Sequence, residues 1–182
     1  HLITAMQSIV SRNVRAIDAA VISICALQSG DLGAFSVTPG TATLVGTVRT
    51  FNPDVQNLVE RRLGELCQAL GLAFGVNAQL QYERSYPATI NTPEDAIFAG
   101  DVAADLVGEA LVVRNMDPSM GAEDFSFMLQ LKPGAYLRLG QAVGDDIIPL
   151  HNSRYDFNDD VLPLGAALHA GIIERGMPLA LV

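Results

Sequence analysis

The order of helical and extended patterns predicts an α/β layer arrangement that opens with an α+β unit. Three observations carry this. Residues 2–86 read, in order, as helix, strand, strand, helix, strand. A proline-bearing stretch, residues 87–93, then interrupts the periodicity. Beyond it, helical segments alternate with short extended ones, too few for a whole doubly wound sheet. One further strand ahead of His1 would complete a split βαβ sandwich of the ferredoxin-like kind, so the front unit reads as lacking its first strand. The opening residues, His1-Leu2-Ile3-Thr4-Ala5, read as the middle of a helix, as though the chain had been cut there.

Each element has a local reason. Leu2, Ile3, Met6, Ile9 and Val10 recur at helical spacing, and Ser11-Arg12-Asn13 ends that run. Residues 21–27 are rich in β-branched side chains and predict a strand. Residues 41–51 predict a second, with Ala42, Leu44 and Val48 on one face and Thr43, Val45, Thr47 and Arg49 on the other. Helices would cover one face of the sheet, so Arg49 would project from the uncovered one. Asn52-Pro53 opens a long helix, asparagine as cap and proline in the first turn. Its apolar stripe is Val55, Leu58, Val59, Leu63, Leu66, Leu70 and Phe74, and Gly71 and Gly75 mark a frayed end. Residues 78–86 alternate again and predict a third strand. Thr92-Pro93 repeats the cap-then-proline signature, with Asp95 three residues after the cap. That helix carries Ala99, Val102, Ala103, Leu106 and Val107. Strands follow over residues 110–113 and 135–140, a short helix over 123–131, and a last helix over 159–175.

Composition narrows the function. The chain has 182 residues, enough for one medium domain or two small ones. Apolar residues make up 49% and charged residues 17%, which fits a globular protein with some apolar surface left for a partner to cover. With 20 acids against 11 bases the net charge is −9, and Arg61-Arg62 is the sole basic pair. Nucleic acid is therefore not an expected partner. No apolar run is long enough to span a bilayer, so no membrane partner is expected either. The two cysteines, Cys25 and Cys67, make no disulfide framework and read as buried thiols, which points to a reducing, cytoplasmic compartment.

The chemistry-bearing candidates are few. His151 lies in a polar, turn-prone loop just ahead of the last helix, a good place to present an imidazole to a metal. The alternative is a loop histidine satisfied by neighbouring backbone. The three histidines (His1, His151, His169) and two cysteines show no spaced ligand pair, so other ligands would have to come from outside these residues. His169, in a helix of small and apolar residues, reads as filler. Glu123-Asp124 at a helix start is either a dipole-favoured cap or a carboxylate lining a metal site. Arg49 is either a solvated or paired side chain or a contact for a ligand. There is no Gly-x-Ser-x-Gly, no phosphate-binding glycine loop and no seryl nucleophile signature.

Several stretches read together resemble the hippurate hydrolase-like amidohydrolases. They are Gln7-Ser8-Ile9-Val10-Ser11-Arg12-Asn13, Gly46-Thr47-Val48-Arg49-Thr50-Phe51, Tyr86-Pro87-Ala88-Thr89-Ile90-Asn91, Met120-Gly121-Ala122-Glu123-Asp124-Phe125-Ser126, and Leu150-His151 through Tyr155-Asp156-Phe157-Asn158-Asp159. The group includes N-acyl amino acid hydrolases, auxin-conjugate hydrolases and N-acetyldiaminopimelate deacetylases, and the likeness runs over essentially the whole chain. It implies a two-domain metal-dependent hydrolase: an α/β catalytic domain holding a pair of divalent ions, and an inserted lid that mediates homodimer formation. On that template residues 1–91 are an incomplete lid and dimerisation domain, and residues 92–182 the C-terminal part of the catalytic domain. His151 matches a metal-ligand histidine, and Glu123 the carboxylate of a Met-Gly-Ser-Glu-Asp-Phe motif by the metal cleft. Asn13 and Arg49 match lid positions that approach an N-acyl amino acid substrate. The other ligands and the general base come earlier in the family, so no catalytic residue is expected in this segment. Manganese, zinc, cobalt and nickel are not distinguished.

Two departures stand out. Ser36 replaces an amide side chain in a lid loop, and Ala122 stands where serine is common. Two other readings compete: a catalytically inactive dimerisation and scaffold piece, and a ferredoxin-like small-molecule-binding module.

Overall fold

The computed structural model describes residues 1–142, 144 and 147–179. It is a mixed helix and sheet structure, and the chain divides into two compact units. Each is described by itself.

The first unit comprises His1–Ala88 with Met120–Glu123. Its elements are α1 (Leu2–Arg12), β1 (Ala20–Ser29), β2 (Ala42–Thr50) and α2 (Pro53–Phe74). β1 and β2 form an antiparallel pair in which Ile22 faces Val48 and Val21 faces Arg49. The two helices pack on one face of that hairpin. Met6 and Ile9 of α1, Ile22 of β1 and Val55, Val59, Leu63 and Cys67 of α2 form the core, with Ile24, Val48, Ala78 and Tyr82 packed around it. The α2 core residues recur four apart, which puts them on one stripe. Asn52 caps α2 as expected: its Oδ1 accepts from the Asp54 N–H at 2.9 Å.

The far end of α2 is not frayed. Gly75 adopts φ +65°. The Val76 N–H donates to the Gly71 carbonyl at 2.9 Å and the Gly75 N–H to Leu72 at 3.4 Å. This is a Schellman closure, and it needs the left-handed residue that glycine supplies most readily.

The pairing register skips from Ile24 opposite Gly46 to Ala26 opposite Val45, leaving Cys25 as an extra residue in β1. This bulge keeps Ile22, Ile24 and Leu27 on one face. Cys25 is exposed, as alternation from the inward Ile22 and Ile24 already requires, so the expectation of a buried thiol there fails, while Cys67 is buried. A Cβ on Gly46 would lie 2.4 Å from the Ser23 carbonyl oxygen, so the strand pair closes only around a residue without one.

The second unit comprises Thr89–Ser119 and Asp124–Val182. It holds α3 (Pro93–Val107), α4 (Phe125–Leu131) and α5 (Leu162–Gly176), with 3-10 turns at Glu109–Leu111 and Asp159–Val161. α3 and α5 pack together. Gly171 lets them approach, since a Cβ there would meet Val102 at 3.0 Å. Arg175 pairs with Asp105 at 2.6 Å across the contact. The last helical run splits at its start into a 3-10 turn and α5, which carries Pro163 in its first turn.

The expected strands at 78–86, 110–113 and 135–140 are not laddered among the described residues. Alternation describes where side chains point; a strand also needs a neighbour for its N–H and C=O groups. Residues 110–111 close a 3-10 turn instead. The 78–86 segment is fastened by side chains: Ala78 and Tyr82 lie against the core, and Arg84 donates to Glu60 and Asn57 of α2 at 2.8 Å each. In the 135–140 segment, the Asn91 amide stands in for a strand, accepting from the Tyr136 N–H at 2.8 Å and donating to its carbonyl at 3.1 Å. Thr92 begins α3 without capping it, because its hydroxyl accepts from the Gly134 N–H at 3.1 Å. No helix among the described residues is long and apolar enough to cross a membrane.

Candidate functional site

His151 is exposed and is the only non-glycine residue with positive φ among those described, at +67°. The Asn152 N–H donates to the Pro149 carbonyl at 3.3 Å, so His151 occupies the third position of a four-residue turn. A type II turn demands a left-handed residue there. A second turn follows at once. The Tyr155 N–H donates to the Asn152 carbonyl at 3.0 Å, and the Arg154 N–H to the Asn152 Oδ1 at 2.9 Å. Holding a non-glycine residue in this region costs about 1–3 kcal/mol, so the surroundings must impose it.

The loop is also fastened by residues that sequence reasoning missed or read only as part of a motif. Gln141 accepts at Oε1 from the Asn158 N–H at 2.8 Å, which fixes the orientation of its amide. Its Nε2 therefore points at the Tyr155 hydroxyl, 2.5 Å away. Asn158 returns a bond from Nδ2 to the Gln141 carbonyl at 3.2 Å, while its Oδ1 accepts from the Asp160 N–H at 3.1 Å and opens the 3-10 turn. All three residues are half-buried. A lone Gln carries no sequence signal; the tie to a residue seventeen positions on appears only in three dimensions.

Glu123 is half-buried and does not lie in a helix, since α4 begins at Phe125. It belongs to the first unit's contact group with Met120-Gly121-Ala122, and it is not without a partner. Asp124 occupies the cap position of α4 without a side-chain cap bond.

Arg49 is half-buried in β2, opposite Val21. Its neighbour Val48 faces the helices, so Arg49 faces the uncovered side of the hairpin. No ion pair engages it among the described residues. Asn13 ends α1, its own N–H bonded to the Ile9 carbonyl. Its Oδ1 accepts from Arg62 Nε at 3.2 Å. Arg62 also pairs with Glu65, whose carboxyl that guanidinium holds below the ordinary range. Asn13 thus belongs to the helix layer and Arg49 to the opposite face, and among the described residues no hydrogen bond joins them. Ser36 and His169 are both exposed.

Among the described residues no group of three or more His, Cys, Asp or Glu side chains is placed to hold a metal ion. The exposed imidazole of His151, on its constrained turn, is a side chain that could serve as one arm of a site for a divalent transition-metal ion.

The family profile for Peptidase family M20/M25/M40 matches residues 5–175. A hippurate hydrolase of Campylobacter jejuni is 37% identical over 169 residues, covering 93% of this chain and 43% of that protein. An N-acetyldiaminopimelate deacetylase of Streptococcus suis is 32% identical, covering 90% of this chain and 42% of its own length. An IAA-amino acid hydrolase of Arabidopsis thaliana is 29% identical, covering 96% and 40%. A solved structure assigned as an aminohydrolase, from methicillin-resistant Staphylococcus aureus, matches with TM-score 0.73 at 25% identity, covering 94% of this chain and 43% of that one. The chain spans less than half the length of the curated relatives it matches, and those relatives are hydrolases.

Proposed function

The chain belongs to peptidase family M20/M25/M40, and from that premise we propose that it is part of a metal-dependent amidohydrolase. The whole enzyme would cleave the amide bond of N-acyl amino acids, hippurate-like, to a carboxylate and an amino acid. The observation that carries this is the imposed backbone of His151, a strained non-glycine turn built around the one imidazole the resemblance assigns to a metal.

In this reading His151 holds one of the divalent ions through a ring nitrogen. The bound ions would supply a water of lowered pKa and polarise the scissile carbonyl. Arg49, without an ion pair among the described residues and on the open hairpin face, takes the carboxylate of the amino acid in a two-pronged contact. Asn13, held by Arg62, adds a polar contact from the end of α1. Glu123 lines the metal cleft. The ferredoxin-like lid pairs with a second copy, and the dimer is tested by analytical ultracentrifugation. Taken alone, this region supplies a single nitrogen donor and is catalytically silent; hydrolysis of hippurate by the isolated chain with added manganese would overturn that part.

The central test is His151→Ala in the whole enzyme. Hippurate hydrolysis and zinc content should both fall by more than the roughly 10- to 100-fold that loss of an outer-shell partner costs. Near-normal turnover refutes the assignment. Arg49→Ala should raise KM for carboxylate-bearing substrates with kcat little changed. Loss of one charge-assisted contact, about 1.5–3 kcal/mol, corresponds to roughly 10- to 150-fold.

A further inference from the structure

We infer that Gln141 is a positioning residue for the His151 turn, an inference that rests on the reading of His151 as a metal ligand. The chain of contacts is short. Gln141 Nε2 holds the Tyr155 hydroxyl at 2.5 Å. The Tyr155 backbone closes the turn that starts at Asn152, and the Asn152 N–H closes the turn that contains His151. On its other side Gln141 is bound by Asn158 at the entry to the last helical segment, at 2.8 and 3.2 Å. One amide thus ties the far limb of the loop to the start of that segment. It also holds the side chain of Tyr155, the residue whose N–H closes the second turn on the Asn152 carbonyl.

The alternative source of order would be burial of the turn itself. The turn has none: Leu150 is 67% exposed, and residues 151–154 are all exposed. The left-handed conformation of His151 has no glycine to ease it, and none of the turn's own side chains is buried. Half-buried residues flank the turn on both sides, Ile148 just before it and the polar tie of Tyr155 and Asn158 to Gln141 just after it. A ligand imidazole must be aimed before the ion arrives, and outer-shell residues commonly do this.

The test uses the exposed Arg154 in the second turn as a tryptic reporter of the metal-free chain. Gln141→Leu should raise the rate of cleavage after Arg154 about tenfold, the loss expected when a half-buried hydrogen-bonded anchor goes. Cleavage after Arg61 should not change. Gln141→Glu, which keeps the acceptor for the Asn158 N–H and can accept from the tyrosine hydroxyl, should restore most of the protection. Tyr155→Phe, which deletes one oxygen, should give a rise of a few-fold and covers the case in which Gln141→Leu fails to fold.

In the whole enzyme the same variants should weaken zinc uptake, read by equilibrium dialysis, with excess zinc restoring kcat. Unchanged cleavage in both Gln141→Leu and Tyr155→Phe overturns the proposal. Faster cleavage with undiminished zinc uptake also overturns it, and the His151→Ala dialysis then separates the two ideas. If that variant loses zinc, the ligand reading stands without the positioning role; if it does not, both fall.

Discussion

The two units are held together by different means. In the first, Met6, Ile9, Ile22, Val55, Val59, Leu63 and Cys67 close a dry layer between two helices and a hairpin. In the second, the buried apolar residues are only Ala99 and Val102 among those described, while Leu111 is 75%, Val113 74% and Leu131 81% exposed. Its shape is fixed instead at its loops: Asn91 on Tyr136, Arg114 across Glu109 and Asp101, Gln141 on Tyr155 and Asn158. Apolar burial gives stability without fixing direction, because it scales with area. Hydrogen bonds to named atoms fix direction while contributing modestly to stability. The unit that carries His151 is the one organised by direction.

That contrast can be broken most directly by truncating side chains. Ile9→Ala, at a site with 0% exposure, should destabilise the first unit by about 2–5 kcal/mol in urea unfolding. Leu131→Ala in the second should change stability by less than about 0.5 kcal/mol. Equal effects would mean that the second unit has a core the exposures do not reveal.

A smaller effect separates two glycines. Gly46→Ala puts a methyl 2.4 Å from a backbone oxygen and should cost about 1–3 kcal/mol as the strands part. Gly140→Ala, with nothing within 4 Å of the added carbon, should be close to neutral. Similar thermal midpoints for the two variants would show that β1 and β2 are not tightly closed.

The smallest expected effect is electrostatic. The hydrogen bond from Arg114 to Glu109 is the main cause holding that carboxyl below its ordinary value of 4.5. A depressed carboxylate gives support that is complete above the unfolded value and lost as pH falls through the folded one. Amide exchange in residues 109–114 should therefore quicken as pH drops below about 4.5, after correction for intrinsic rates. Arg114→Gln should abolish that dependence, while the first unit's core amides stay protected in both. A flat profile in the unaltered chain would sink the idea.

Much of the helix layer was legible in the sequence, because α1, α2 and α3 carry apolar stripes and α2 has a proper cap. The hairpin was legible too, down to the alternation that sets Val48 against Arg49. The remaining strands were not, because period-two alternation at 78–86 and 135–140 reports side-chain direction and says nothing about a hydrogen-bonding neighbour. Cys25 was misjudged because residue type was weighed above position: alternation from Ile22 and Ile24 puts it on the outward face. At the site, His151 stood out by residue type and loop context. Its left-handed backbone did not, because the turn is closed by a backbone bond from Asn152 to Pro149, which leaves no mark in residue type. Nor did the Arg62 contact that occupies Asn13, which joins two helices forty-nine positions apart.

The skipped register at Cys25 makes β1 forgiving at one point and unforgiving elsewhere. Deleting Cys25 would leave Ile24 and Ala26 opposite the partners they already have, and no later side chain would change sides. Deleting Ser23 would invert the outward and inward roles along one arm of the strand. Single-residue shortening is thus tolerable where the thiol sits and ruinous two places before it, a difference that the solubility of the two deletion proteins would expose.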